Sequence, residues 1–177
     1  MPDAALERFL DGVQGRAVQM ATFALSDRDA ALDVVQDAML AWLSRYGNRP
    51  SQEWAPLFWR VLQNRIRDRW RRRQVQRRLF SWLGLGNDAG AEAVETLADL
   101  SGGADPARQL DDERFRAALH SALRELPLRQ QQAFLLRHIE GLDTAATAHA
   151  LGIREGSVKS HLHRAVQHLQ QRLEAYR

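Results

Sequence analysis

The sequence predicts an all-α protein made of two small helical domains joined by a flexible acidic linker. Apolar residues recur at helical spacing through most of the 177 residues, and no segment shows the alternation typical of a β-strand. The helical pattern is replaced by glycines, acids and small residues between the two ends of the chain. We therefore place the domains at residues 1–80 and 107–177 and the linker at 81–106. Since each domain is small, we expect them to be loosely coupled in the free protein.

Three helices are predicted in the first domain, each with its own start signal. Asp3 can cap the first, Ser26 or Asp27 can cap the second, and Pro56 suits the first turn of the third. The second is expected to end at the turn-forming sequence Gly47-Asn48-Arg49-Pro50. The expected bounds are about 4–24, 28–46 and 55–78.

The second domain is predicted to end in a helix-turn-helix. A helix over about 107–125 and another from Pro127 to about Glu140 come first. Asp143 can then cap a short helix, and Gly152 supplies the left-handed residue that stops it after Leu151. The last helix has one apolar face, consisting of Val158, Leu162, Ala165, Val166 and Leu169. In a helix-turn-helix such a helix enters the DNA major groove with its polar face.

The third helix carries a dense run of arginine. Nine arginines fall between Arg60 and Arg78, against one acid, Asp68. Clustered arginine binds phosphates, and exposed aromatic rings can stack on unpaired bases. The aromatic residues interleaved with the arginines are Trp54, Phe58, Trp59, Trp70, Phe80 and Trp82. Trp59 and Trp70 fit helix packing better than stacking, but the arginine run itself predicts contact with single-stranded or melting DNA.

Charge and composition exclude several other classes of protein. The net charge of +3 is the balance of +5 over residues 1–80, −7 over 81–113 and +5 over 114–177. The chain has no cysteine, which excludes disulfides and thiolate chemistry. It shows no transmembrane run and no basic-then-apolar leader, so we expect a cytoplasmic protein. No nucleophile constellation or phosphate-binding glycine loop is present, and we expect no enzyme activity, cofactor or metal.

Four segments, in this order, resemble the extracytoplasmic-function sigma factors of bacterial RNA polymerase. They are DVVQDAM at 33–39, FWRVLQNRIRDRWRRR at 58–73, ALRELPLRQQQAFLLRHIEGL at 122–142 and LGIREGSVKSHLHRA at 151–165. The resemblance covers nearly the whole chain apart from the linker. It implies a non-catalytic specificity subunit, a monomer in the holoenzyme, which binds core polymerase and promoter DNA. An anti-sigma factor is a further partner that the family allows.

The resemblance also assigns roles to three sets of residues. Those implied to bind the polymerase clamp helices are Asp33, Gln36, Asp37 and Leu40. Those implied to capture the melted strand downstream are Asn64, Arg65, Arg67, Asp68 and Arg71. Those implied to read upstream duplex DNA are Arg154, Glu155, Ser157, Lys159, Ser160, His161 and Arg164. The acidic linker would pass through the polymerase's basic active-centre and RNA-exit path.

Several positions depart from the family pattern. Thr147 replaces an isoleucine of the helix-turn-helix core, Arg154 stands where a serine cap is usual, and His161 where arginine is common. These changes leave open which bases are read. The apolar residues from Leu79 to Leu83 could serve the polymerase or an anti-sigma factor, but we expect them to pack in the domain's own core.

Two alternative functions fit parts of the sequence. The segment VKSHLHRAVQHL also resembles LuxR-like DNA-binding regulators, but residues 1–80 lack the strand–helix alternation of a receiver domain. An enzyme with a histidine metal site is the second alternative. His161 and His163 lie two residues apart and so point to different helix faces, and neither cysteine nor a carboxylate pair completes a site with His168.

Overall fold

The computed structural model describes residues 4–84 and 106–176, without the side chains of 106–111. The described ranges contain helices and short connections but no β-strand, which confirms the all-α prediction. The predicted linker lies outside the described residues except at its ends, where Ser81 and Trp82 belong to a helix and Pro106 begins the next.

The described residues form seven α-helices, close to the predicted bounds. They are α1 Ala4–Leu25, α2 Arg28–Tyr46, α3 Trp54–Trp82, α4 Pro106–Glu125, α5 Leu128–Phe134, α6 Thr144–Leu151 and α7 Glu155–Arg172. A π-helical turn, Leu135–Ile139, extends α5, and short 3-10 turns cover Ser51–Glu53 and Glu174–Tyr176. The third helix is therefore longer than predicted, and it ends at Trp82 instead of Arg78.

Asp27 caps α2 and also ties the end of α1 to α3. Its carboxylate accepts the Ala30 N–H at 2.9 Å, whereas Ser26, the alternative cap, adopts a positive φ of 51° at the turn. The Arg73 guanidinium of α3 donates to this carboxylate and to the Leu25 carbonyl oxygen. The Ala30 N–H and then the Arg73 charge lower the pKa of Asp27.

An aromatic cluster forms the core of the first three helices. Phe9 of α1 and Trp42 of α2 pack against Trp54 and Phe58 of α3, and Phe58 packs against Trp59, with ring centroids 5.2–6.2 Å apart. These three aromatic residues of α3 are buried and are packing residues, which agrees with the packing interpretation of Trp59. The burial follows from α1 and α2, which both pack along this face of α3.

The other three aromatic positions of α3 have different environments. Trp70 is half-buried and packs against the core, which agrees with its reading as a helix-packing residue. Phe80 and Trp82 are exposed at the end of the helix.

The helix-turn-helix is formed as the sequence predicts. Gly152 ends α6 in the left-handed conformation with φ 64°, and Val158, Ala165 and Leu169 of α7 are buried. Thr147, which stands in place of the apolar residue usual in the family, is also fully buried. Its hydroxyl donates to the Asp143 carbonyl oxygen at 2.8 Å, so burial leaves no unsatisfied donor.

We expect Asp143→Ala to destabilise the protein by about 1 kcal/mol, because the Asp143 carboxylate is the N-cap of α6. It accepts the Ala146 N–H at 2.7 Å. In a chain of this size the loss corresponds to a melting temperature lower by about 2–4 °C, measurable by circular dichroism. Asp143→Asn keeps a capping oxygen and should melt within about 1 °C of the parent protein. Equal losses in the two variants would contradict the capping role.

The two predicted domains pack against each other. Helix α3 lies against α6, and α1 lies against α4 and α5. The Arg16 Nε of α1 is 3.2 Å from the Glu140 carboxylate, whose side chain is only 3% exposed. Arg60 and His149 form a hydrogen bond of 2.7 Å, and Gln131 donates to the Phe23 carbonyl oxygen at 3.3 Å. These contacts join the two domains in the arrangement described here.

Candidate nucleic-acid and polymerase interfaces

The polar face of α7 presents most of the residues predicted to read duplex DNA. Five of the seven are exposed and two, Ser157 and His161, are intermediate; the exposed ones are Arg154, Glu155, Lys159, Ser160 and Arg164. Ser157 is intermediate, and Arg154 occupies the N-cap position without a side-chain capping bond. The face is therefore free to enter a groove, and it lies on a helix held by a buried apolar side.

His161 is the recognition residue with the most restricted surroundings. Burial lowers the pKa of its imidazole, and the nearby charges of Arg129 and Arg164 lower it further. Its Nδ1 is buried and has no hydrogen-bond partner among the described residues. His161 is therefore the less accessible, partly buried member of the predicted recognition face.

The residues predicted to capture a melted strand lie along the middle of α3. Arg65, Asp68 and Arg71 are exposed, whereas Asn64 and Arg67 are half-buried. The Arg67 Nη2 donates to the Asn64 Oδ1 at 3.1 Å. The helix thus brings these five side chains together, but α6 packs alongside it in this arrangement.

The residues predicted to dock on the polymerase form one exposed face of α2. Asp33, Gln36, Asp37 and Leu40 are all exposed, and Leu40 is 61% exposed. Their spacing of three, four and seven residues places them on one side of the helix. Leu40 lies one helical turn beyond Asp37, so exposed apolar area adjoins the carboxylates on this face.

The same surface includes a second exposed apolar residue, which was not among those predicted to dock on the polymerase. Leu43 is 41% exposed and follows Leu40 by three residues, so it extends the docking face. The i, i+3 spacing was the signal available in the sequence. Leu32 of the same helix is 42% exposed.

The apolar patch at the end of α3 is exposed, so the expectation that it packs in the domain's own core is wrong. Its members are Leu79, Phe80, Trp82 and Leu83, with Trp82 at 82% exposed. Val75, one to two turns earlier, is exposed as well. The helix extends past the region where α1 and α2 cover it, and these residues consequently lie on its projecting end.

Two further features of the structure concern membrane-spanning helices and a histidine metal site. None of the helices in the described part of the chain is long and apolar enough to span a membrane. Among the same residues no group of three or more histidines and carboxylates is arranged to hold a metal ion. His168 lies 3.4 Å from the Glu125 carboxylate, away from His161 and His163, so the three histidines do not form one site.

Comparison with protein families matches both ends of the chain. Residues 6–76 match the family described as Sigma-70 region 2, and residues 116–169 match Sigma-70, region 4. Together the two matches cover well over half of the sequence. The first contains the predicted docking face and the arginine-rich helix, and the second contains the helix-turn-helix.

Two curated relatives are RNA polymerase sigma-E factors of Streptomyces. The protein from Streptomyces avermitilis is 28% identical over 170 residues, which are 96% of this chain and 85% of that protein. The protein from Streptomyces antibioticus is 41% identical over 78 residues, which are 39% of this chain and only 43% of that relative's length.

Two solved structures have a similar fold. One is the sigma factor RpoE of Bartonella quintana in complex with the anti-sigma factor NepR. It is 24% identical, with a TM-score of 0.71 over 97% of this chain and 98% of that chain. The other is CnrH in complex with the cytosolic domain of CnrY. It is 20% identical, with a TM-score of 0.56 over 96% of this chain and 88% of that one.

Proposed function

Because the chain belongs to the extracytoplasmic-function group of the sigma-70 family, we propose that it binds core RNA polymerase and directs promoter-specific transcription initiation. The observation that carries this proposal is that one chain combines three separate surfaces. Two are the basic faces of α3 and α7, which are suited to binding DNA, and the third is the exposed face of α2. A specificity subunit needs all three surfaces and has no chemistry of its own to perform.

The docking step is assigned to the exposed face of α2. Asp33 and Asp37 offer carboxylates to a basic partner, and Leu40 offers apolar area one helical turn beyond Asp37. Such a face fits the clamp helices of the polymerase's largest subunit. Leu43 extends the same contact.

The DNA steps are divided between α7 and α3. Helix α7 is proposed to read upstream duplex DNA, with base contacts that each discriminate by about 1–3 kcal/mol. The middle of α3, from Asn64 to Arg71, is proposed to hold the melted strand through phosphate contacts. Because α6 covers part of α3 in this arrangement, strand capture requires the two domains to separate when the holoenzyme forms.

The remaining assignments follow from the same proposal. Residues 1–80 and 107–177 act as the two promoter-binding domains, and the acidic segment 81–106 passes through the basic interior of the polymerase. The protein acts in the cytoplasm as one copy per holoenzyme. An anti-sigma factor is proposed as a regulator, since both solved neighbours were determined in complex with named partners, one of them an anti-sigma factor.

Run-off transcription tests the proposal directly. Bacterial core polymerase with and without this protein is given sheared genomic DNA of the source organism, and the transcripts are mapped. Discrete start sites that require the protein and share upstream motifs support the proposal. Specific duplex binding by the protein alone, with no new starts and no polymerase binding, would establish a conventional regulator in its place.

We expect Lys159→Ala and Arg164→Ala each to lower the salt dependence of promoter binding by the holoenzyme. Both side chains are exposed on the recognition face, and each lost phosphate contact reduces the slope of log K against log salt by about 0.9. The measurement is equilibrium promoter binding at four or more salt concentrations. Arg8→Ala, an exposed arginine on α1, serves as the control and should leave the slope unchanged.

A further inference from the structure

A cavity of about 310 Å³ lies between the two domains, beside the turn that joins α1 to α2. One side of α3 forms a second wall, and the end of α4 with the start of α5 forms the wall from the other domain. Its basic lining residues are Arg73, Arg77 and Arg124. The acidic residue that the described chain adds to the lining is Glu125, whose carboxylate is already paired with Arg172 at 2.5 Å. The cavity is therefore basic, and its volume is within the range of small-molecule sites.

Hydrogen bonds hold the walls of this interdomain cavity in place. The Arg73 guanidinium donates to the Leu25 carbonyl oxygen, which ties α3 to the end of α1. The Gln131 Nε2 donates to the Phe23 carbonyl oxygen at 3.3 Å and to the Leu123 carbonyl oxygen at 2.9 Å. These bonds join α1 to both domains at the edge of the cavity. A ligand of matching shape therefore meets walls that are already positioned, which lowers the cost of ordering them on binding.

Two arginines of the interdomain cavity are available to a ligand. Arg73 is paired with Asp27. Arg77 and Arg124 are exposed, and neither makes a hydrogen bond or an ion pair with another residue of the described part of the chain. One belongs to each domain, so the packed arrangement places two unpaired guanidinium groups on one cavity. Their charges repel each other, and an anion between them is attracted to both.

Two uncharged groups on the same walls indicate a ligand with hydroxyl groups. Gln131 lines the cavity, and its Oε1 is buried without a hydrogen-bond partner among the described residues. Buried acceptors are nearly always paired, so this oxygen calls for a donor. Ser26 also lines the cavity, and within the described ranges it is the one residue other than glycine with a positive φ, 51°. Such backbone strain is found preferentially at functional sites.

We propose that the interdomain cavity binds a small phosphate monoester that carries hydroxyl groups. Guanidinium groups bind phosphate through paired N–H donors, so Arg77 and Arg124 hold the phosphate from opposite domains. A ligand hydroxyl donates to the Gln131 Oε1, and the Ser26 hydroxyl can donate or accept. Because its partners belong to both domains, the ligand stabilises their packed arrangement.

The ligand is expected to oppose promoter opening. Strand capture by α3 requires the two domains to separate, and a ligand held between them makes that separation less favourable. This consequence rests on the proposed function, whereas binding of the phosphate monoester does not.

Titration calorimetry of the full chain with ribose 5-phosphate, at constant ionic strength, tests the proposal. We expect one site per chain and a melting temperature raised by about 5 °C or more at a hundredfold excess over Kd. Arg77→Gln and Arg124→Gln should each weaken binding about tenfold or more, because each removes charge-assisted hydrogen bonds to the phosphate. Both positions are exposed, so without ligand the variants should melt within about 2 °C of the parent chain.

A neighbouring arginine and two simpler ligands provide the controls. Arg78→Gln makes the same change one residue further along α3, at an exposed position outside the cavity, and should bind ribose 5-phosphate like the parent chain. Ribose lacks the anion and should not bind measurably. Inorganic phosphate lacks the sugar hydroxyls and should bind at least about tenfold more weakly than ribose 5-phosphate. Equal binding of the two phosphates would contradict the role of the ligand's hydroxyl groups.

A single-stranded oligonucleotide separates a small-molecule site from a DNA surface. The proposal is overturned if ribose 5-phosphate does not bind while Arg77→Gln and Arg124→Gln weaken oligonucleotide binding, since both arginines then serve a strand backbone. It is also overturned if Arg78→Gln weakens ribose 5-phosphate binding as much as the two cavity variants do, since the effect is then one of net charge. No polymerase is present in these measurements, so their failure is distinguishable from failure of the transcription test.

Discussion

Replacing Trp42 by alanine is expected to destabilise the protein by about 3–5 kcal/mol. Trp42 is fully buried at the centre of the first domain, where its ring packs against Phe9, Trp54 and Phe58. The substitution removes the largest side chain of the core and leaves a cavity that neighbouring aromatic rings cannot fill without leaving their own packing. Domains of this size are stable by about 5–15 kcal/mol, so much of the protein's stability is lost.

Urea denaturation monitored by circular dichroism measures this loss. Trp82→Ala is the matched control, because it removes the same side chain from a position that is 82% exposed. We expect a change within about 0.5 kcal/mol for the control. If the two tryptophan variants were equally stable, the description of the aromatic core would be contradicted.

The local signals of the sequence located the helices well because each depends on neighbouring residues alone. Asp27, Asp143 and Gly152 stop or start helices where their side chains or backbone conformation require it. The polar faces of α2 and α7 were likewise readable, since residues three and four apart lie together on any helix. These features needed no knowledge of how the helices pack.

The aromatic residues of α3 could not be sorted in this way. Trp54, Phe58 and Trp59 are buried and Phe80 and Trp82 are exposed, although all five lie on one continuous helix. The difference in exposure arises because the three helices differ in length. At about 1.5 Å per residue, α3 is roughly 44 Å long and α1 and α2 are roughly 33 and 29 Å, so α3 extends beyond its neighbours.

The contacts between the domains could likewise not be predicted from the sequence. Arg16, Glu140 and Gln131 are polar residues with no motif around them, yet they join helices far apart in the chain. Burial of Glu140 in such a contact disfavours its charged form. It raises the pKa of the carboxyl group, and the charge of Arg16 offsets this increase only in part. The partner of a buried charge depends on tertiary geometry, which no periodicity encodes.

Asp37→Arg is expected to weaken binding to core polymerase at least about 30-fold, because truncating or reversing one partner of an interfacial charge pair costs about 2–5 kcal/mol. Asp37 is exposed on α2 beside Asp33 and Leu40, so the variant should fold normally and melt within about 2 °C of the parent chain. Binding is measured by fluorescence anisotropy of the labelled protein with core polymerase, and transcription from a mapped promoter should fall in parallel.

A charge reversal elsewhere separates a docking face from a general effect of net charge. Asp11→Arg makes the same change on an exposed position of α1, outside the proposed face, and should bind polymerase normally. Loss in both variants would mean that overall charge governs binding, and retention in both would remove the assignment of α2 as the docking helix. Loss of binding in Asp37→Arg alone fits a docking site in which Leu40 supplies apolar area and the carboxylates fix the orientation of the bound protein. Buried apolar area then supplies much of the affinity, and the pairing of the carboxylates with basic groups supplies specificity.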